Sequence, residues 1–200
     1  MKVGFLVECG LKGADEQVLR FLVNTLRKDI EPRFATCGSK RVILDECGQH
    51  VELLFTVERC EKVFVVWDLF PCNPEHQING KPSCINERKH LLGKLRAVDK
   101  PRTIMLCIQH ELEAWLLADG SALHTVLKKN HPIDRIGDDK HPERHPNPKR
   151  TLGEIFKKHR GPRFEYEDRT HAIQIIRAAN LSKLKCVPSF ARFKDKLEKL

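Results

Sequence analysis

Four acidic residues stand where apolar runs end. Glu8 closes "KVGFLVE" (2–8), Asp68 closes "KVFVVWD" (62–68), and Glu111 and Glu113, with His110 beside them, follow "RTIMLCI" (102–108). Carboxylates gathered in one place repel one another, which raises their pKa values unless a cation holds them together. Oxygen ligands of this kind suit Mg²⁺ or Mn²⁺, ions that keep some of their waters and bind phosphates. Such a set could hold a cation that meets a phosphate, or Glu8 and Asp68 could merely be solvated or cap helix starts.

For the acids to meet, the three runs must be parallel strands of one sheet, because their carboxyl ends then point the same way and ligands bind outside that edge. The chain alternates as this requires. After the first strand and a Gly-containing turn, "EQVLRFLVNTLRK" sets Val18, Leu19, Leu22 and Leu26 on one helical face, with Asp15 near its start. Residues 40–60 are weakly helical, and 62–68 form a continuous apolar run of the kind buried in a parallel sheet. Residues 71–84 are loop, 85–98 a basic helix, and 102–108 the third strand. The expected fold is α/β, a largely parallel, Rossmann-like sheet flanked by helices. This core is expected over residues 1–120, and 121–200 form a loop-rich, helical extension packed on it. Within the extension, 130–150 lacks periodicity, and short helices are expected at about 151–159, 170–179 and 188–199.

The two late acids are not equivalent. On a helix starting at His110, Glu111 and Glu113 would diverge by about 200°. Leu112, Trp115 and Leu116 form a face that starts the helix at residue 112. Glu111 is therefore expected at the metal or its water, and Glu113 is expected to orient Lys149 or Arg150.

The formal charge of +9 favours an anionic partner, nucleic acid ahead of a membrane, although a merely basic protein would carry the same charge. The first apolar run is interrupted by Glu8 and resembles neither a signal peptide nor a span, so a cytoplasmic chain is expected. Eight cysteines without a CxxC pair are expected as free thiols, with no structural zinc site. His110 reads as a core histidine. His141 and His145 have H-x₃-H spacing, but the prolines around them keep the pair off a helix face. Trp115 reads as core rather than a base-stacking platform. Lys149 and Arg150 could hold a phosphate or begin a helix. "GLKGAD" lacks the ending of a P-loop, which argues against a small-molecule phosphotransferase.

Several stretches carry a family likeness. "FLVECGLKGADEQVLRFL" followed by "VFVVWDLF" resembles the Toprim domain of topoisomerases, primases and the nucleases of bacterial anti-phage systems. "IQHELEAWLLAD", "HPNPKRTLGEIFKK" and "CVPSFARFKDKLEKL" resemble the small Toprim-like proteins called DUF4276. The resemblance implies Mg²⁺-dependent (or Mn²⁺-dependent) phosphodiester cleavage of nucleic acid, beside an ATPase partner of the AAA or SMC-like kind. Glu8 would be the general base or a metal ligand, Asp68 the first metal-binding Asp, and Glu111 and Glu113 the late acids. Lys149 and Arg150 would position the phosphate backbone. Two positions depart from the pattern. Cys9 replaces the glycine after the glutamate, and Phe70 stands where the second Asp of Asp-x-Asp belongs. Losing that carboxylate keeps an alternative in view, a catalytically weak or inactive subunit that binds or senses nucleic acid; Glu75, Glu111 or Glu113 could compensate.

Overall fold

The computed structural model describes residues 1–72, 74–128 and 132–200. The chain divides into two compact units, Met1–Gln109 with Asp195–Leu200, and His110–Lys194.

The first unit holds β1 (Lys2–Val7), α1 (Ala14–Leu26), β2 (Glu31–Thr36), α2 (Lys40–Thr56), β3 (Lys62–Asp68), α3 (Cys84–Lys94) and β4 (Thr103–Ile108). The four strands form a parallel sheet in the order β2-β1-β3-β4, flanked by helices, so the chain has the Rossmann-like α/β fold that its alternation predicts. Strand alternation sorts the core onto two faces. On one face Phe5 stacks between Phe34 and Phe64, both 5.1 Å away and both at its own register position. Arg20 of α1 lies over Phe34. On the other face Leu6, Val63, Val65 and Trp67 join Ile43, Cys47, Val51 and Leu54 of α2 and Leu91 of α3. Gly4 lets α2 approach closely, since a Cβ there would stand 3.1 Å from Leu54 Cδ1.

Two readings of the sequence change here. β2 was not expected. It carries Pro32 and pairs along one side only, the edge position where proline survives in a sheet, and its residues are half-buried or exposed. Cys84 and Cys107, expected as free thiols, are joined in a disulfide, because the first turn of α3 brings its Cα within 6.0 Å of that in β4.

The second unit contains α4 (Glu113–Leu117), α5 (Gly120–Leu127), α6 (Pro148–Arg160) and α7 (Ile173–Ala178); α8 (Pro188–Glu198) follows. Its core gathers around Trp115, which is fully buried, stacks on Phe193, meets Phe190 edge-on and donates from Nε1 to Ser189 Oγ at 2.7 Å. Asp119 ties loops to α5. It caps the helix through the Ser121 and Ala122 N–H groups, accepts from Asn180 N–H at 2.8 Å and pairs with Lys183 at 2.9 Å. Of the loop expected at 130–150, residues 130 and 131 lie outside the described residues, and 148–150 already belong to α6.

Candidate functional site

The strand order reverses between β1 and β3: the chain passes from β1 to β2 on one side and later enters β3 on the other. In an open parallel sheet such a switch point leaves a crevice at the carboxyl edge, where ligands bind. Glu8 and Asp68 end these two strands. Glu8 Oε1 accepts the Asp68 backbone N–H at 2.8 Å, which locks the two strand ends together. The turn that follows demands glycine. A Cβ on Gly13 would come within 2.5 Å of Cys9 Cβ and 2.8 Å of the Gly10 carbonyl oxygen. Helix α1 then starts with Asp15 and Glu16 in its first turn.

Burial pushes the Glu8 carboxyl up to about 8, against the Asp68 N–H and the Lys40 ammonium, which pull it down; Asp15 and Glu87 add repulsion. Behind the edge lies a buried polar network that the sequence does not announce. Lys40 Nζ donates to the Leu69 carbonyl at 2.6 Å and the Pro71 carbonyl at 2.9 Å, and forms an ion pair with Glu87 Oε1 at 2.9 Å. Glu87 Oε2 accepts from Trp67 Nε1 at 2.8 Å. The residues on either side of Asp68 are thus both fastened. Burial and Asp15 push the Cys9 thiol up to about 12, and burial with Glu46 and Glu8 does the same to Cys37. Burial thus favours the protonated thiol of each at neutral pH, which works against nucleophilic use of either. Glu75 lies exposed in a short 3₁₀ turn, Pro74–His76.

Glu111, Glu113, Lys149 and Arg150 belong to the second unit, and the structure brings them together. Glu111 Oε2 accepts the Lys149 backbone N–H at 2.9 Å, and the Asn147 side chain accepts that of Arg150 at 2.7 Å. Together they satisfy two of the open donors at the start of α6. Helix α4 begins at Glu113, whose carboxylate is buried and accepts from the Tyr166 hydroxyl at 3.4 Å. Lys149 Nζ reaches Asp168 Oδ2 at 2.6 Å. Burial works against the charged Lys149, but the Asp168 bond and the charges of Glu113 and Glu111 outweigh it, and its pKa stands above the ordinary value. Asp168 is drawn below its ordinary value: burial would raise it, and Lys149 overrides that. Glu113 thus acts on Lys149 by its charge, while Glu111 holds the backbone.

Beside these residues opens a cavity of about 340 Å³, lined by Asn147, Lys149, Arg150, Gly153 and Lys157 along α6 and by Glu111, Glu165 and Tyr166 across from it. Arg150 also pairs with Glu154 at 2.9 Å on the exposed side of the helix. Tyr166 and Asp168 come from "FEYEDRTH", a charged stretch that reads as plain surface in the sequence. His145, which H-x₃-H spacing would couple to His141, instead contacts Asp139 through Nε2 at 2.5 Å. Among the described residues, no group of three or more His, Cys, Asp and Glu side chains is arranged to hold a metal ion, and no helix is long and apolar enough to cross a membrane.

Comparison with curated proteins and with solved structures finds no match. A family model does match, over residues 20–198, which leaves Glu8 outside the matched span and Asp68, Glu111, Glu113, Lys149 and Arg150 inside it. Over nine-tenths of its length beyond β1, therefore, the sequence is a family pattern, and the chain belongs to the family described as "Domain of unknown function (DUF4276)".

Proposed function

We propose that this protein is a Toprim-like, divalent-cation-dependent nuclease that cleaves phosphodiesters of nucleic acid. The observation that carries the reading is the pairing of Glu8 and Asp68 at the switch point of the parallel sheet, joined through the Asp68 N–H at 2.8 Å. The donor set fits Mg²⁺ or Mn²⁺ of a particular kind. Such an ion keeps several waters, takes one or two carboxylates from the protein and fills its shell with substrate phosphate. Glu8 and Asp68 supply that pair, and three protein ligands are not needed. When bound, the cation would neutralise charge on the scissile phosphate and lower the pKa of an attacking water.

The chain's own groups divide the remaining work. Glu8 Oε1 is engaged by the backbone, so Oε2 is the oxygen left either to meet the cation or to hold or move a proton. Buried and with its pKa near 8 in the absence of a cation, the carboxyl sits in the range suited to proton transfer near neutral pH. Asp68 would be the cation ligand, held in place by Lys40 and Glu87 through its neighbours on both sides. Lys149 and Arg150 contact backbone phosphates. A net charge of +9 supports the polyanionic substrate. The resemblance to anti-phage Toprim proteins supports a bacterial cytoplasmic setting with an AAA or SMC-like ATPase as partner.

The test is cleavage of labelled DNA and RNA, single- and double-stranded, with Mg²⁺ or Mn²⁺. Asp68→Ala is expected to lose about a hundredfold or more in rate with an unchanged circular dichroism spectrum, since a strand-end carboxylate adds little to packing. A variant cutting at the wild-type rate would falsify the site. Phe70, in place of a second aspartate and 37% exposed, favours one other reading, a subunit that binds nucleic acid without cutting it. Salt-sensitive binding with no cleavage in either metal selects that reading.

A further inference from the structure

Arg150, Gly153 and Lys157 follow one another along one face of α6, at the three- and four-residue spacing that aligns helix positions, and all three line the 340 Å³ cavity. Gly153 is the informative member. Glycine in a helix interior destabilises the helix relative to alanine. Nothing in the fold asks for it, because a Cβ at this position would meet no atom within 4 Å. What its missing side chain leaves is bare helix backbone at the floor of the cavity, between two cations.

We propose that this cavity is a subsite for one nucleotide unit of a single strand: phosphate between Arg150 and Lys157, sugar against the Gly153 backbone, base against the Tyr166 ring. The mixed lining distinguishes such a site from one for a simple anion. Glu165 repels a phosphate alone, but accepts from the exocyclic amino group of a base or the hydroxyl of a sugar. The Arg150–Glu154 pair is no obstacle. Both side chains are mostly exposed, at 77% and 62%, so the pair is weak and a phosphate can take the guanidinium over. An aromatic wall beside cations is how proteins hold unpaired bases, whose faces are covered in a duplex. The inference rests on the nucleic-acid reading and narrows its substrate to unpaired strands.

Anisotropy of a labelled ten-residue oligodeoxyadenylate, measured in EDTA so that cleavage plays no part, tests it. Gly153→Leu places a side chain on the floor, with a Cβ that meets no atom within 4 Å, and is expected to weaken binding about tenfold while the melting temperature holds. Gly153→Ala is expected to raise the melting temperature. Tyr166→Phe keeps the affinity, and Tyr166→Leu lowers it. Adenosine monophosphate displaces the oligomer at a concentration at least about tenfold lower than inorganic phosphate does, reflecting the stacked base. Oligomer affinity untouched by Gly153→Leu overturns the subsite alone, as does equal displacement by phosphate and the mononucleotide. A wild-type chain that binds neither single strand nor duplex overturns the nucleic-acid reading and the subsite with it.

Discussion

Each unit of the molecule pairs a lysine with a carboxylate beside its candidate site, and the two pairs are opposites. In the first unit Lys40 and Glu87 are 8% and 0% exposed, and Lys40 also holds two backbone carbonyls. In the second, Lys149 and Asp168 are 47% and 39% exposed. Buried ions must be fully satisfied or they destabilise the fold, whereas exposed pairs are screened and exchange partners easily. The first arrangement suits a site whose groups must not move, such as a strand end holding Asp68. The second suits a surface that must trade a protein partner for a ligand. The difference teaches that the two units meet different demands, fixed geometry at the sheet edge of the first and exchangeable charge on the α6 surface of the second.

Breaking the buried pair is expected to have the largest effect. Lys40→Met leaves the Glu87 carboxylate buried with only the Trp67 N–H, and the Leu69 and Pro71 carbonyls lose a donor. The expected cost is about 3–5 kcal/mol in urea unfolding. Adding Glu87→Gln removes the stranded charge and keeps an acceptor for Trp67, so the double variant is expected to recover a large part of the loss. A single variant within about 1 kcal/mol of wild type would mean that the pair behaves like the exposed one.

Glu8 sharpens the same contrast through pH. Its folded pKa of about 8 lies above the ordinary 4.5. Between those values the folded chain keeps a proton that the unfolded chain has released, so stability present at low pH is lost as pH rises through the window. Glu8→Gln cannot release that proton. In EDTA the variant is therefore expected to gain on wild type by something on the order of 3 kcal/mol between pH 5 and pH 8. Mg²⁺ is expected to reduce that gain, because a cation on Glu8 stabilises the ionised folded form. A wild type and variant with parallel pH profiles would show that burial does not hold the proton.

What could be read in the sequence followed from local pattern. The strands ending at Asp68 and Ile108 are continuous apolar runs, and helix α1 has a clean stripe, so the parallel sheet and its acid-tipped edge were legible. β2 was hidden because Glu31, Pro32 and Arg33 are edge residues that burial does not select. That Glu8 and Asp68 are neighbours depends on strand order, which local pattern does not contain. Lys40 was overlooked because lysine is almost never fully buried, and nothing local signals its partner 47 residues away in α3. Asp168 and Tyr166 reach Lys149 and Glu113 from a segment with no periodicity, so only tertiary structure reveals them. Glu111 and Glu113 stand out in the sequence as a pair of acids, but what each touches is not written there. The Glu111 carboxylate accepts from the start of α6, where the sequence leaves open whether Lys149 and Arg150 hold a phosphate or begin a helix.

The smallest stability effect is expected at Lys149, and there it is the informative result. Lys149→Met removes an exposed ion pair, so unfolding is expected to change by no more than about 1 kcal/mol, since Asp168 keeps the Arg169 backbone N–H. The Lys149 backbone N–H still donates to Glu111, since the substitution leaves it in place, and the start of α6 is unaltered. Binding of single-stranded oligonucleotide should respond differently. One phosphate contact fewer lowers the slope of log affinity against log salt by about 0.7 on a single strand, and affinity falls by a similar factor on every sequence. A slope unchanged from wild type would leave Lys149 as an internal partner of Asp168, and shift phosphate capture along the helix to Arg150 and Lys157. A stability loss as large as that of Lys40→Met would instead make the two lysines alike, and the division between a rigid edge and an exchangeable surface would not stand.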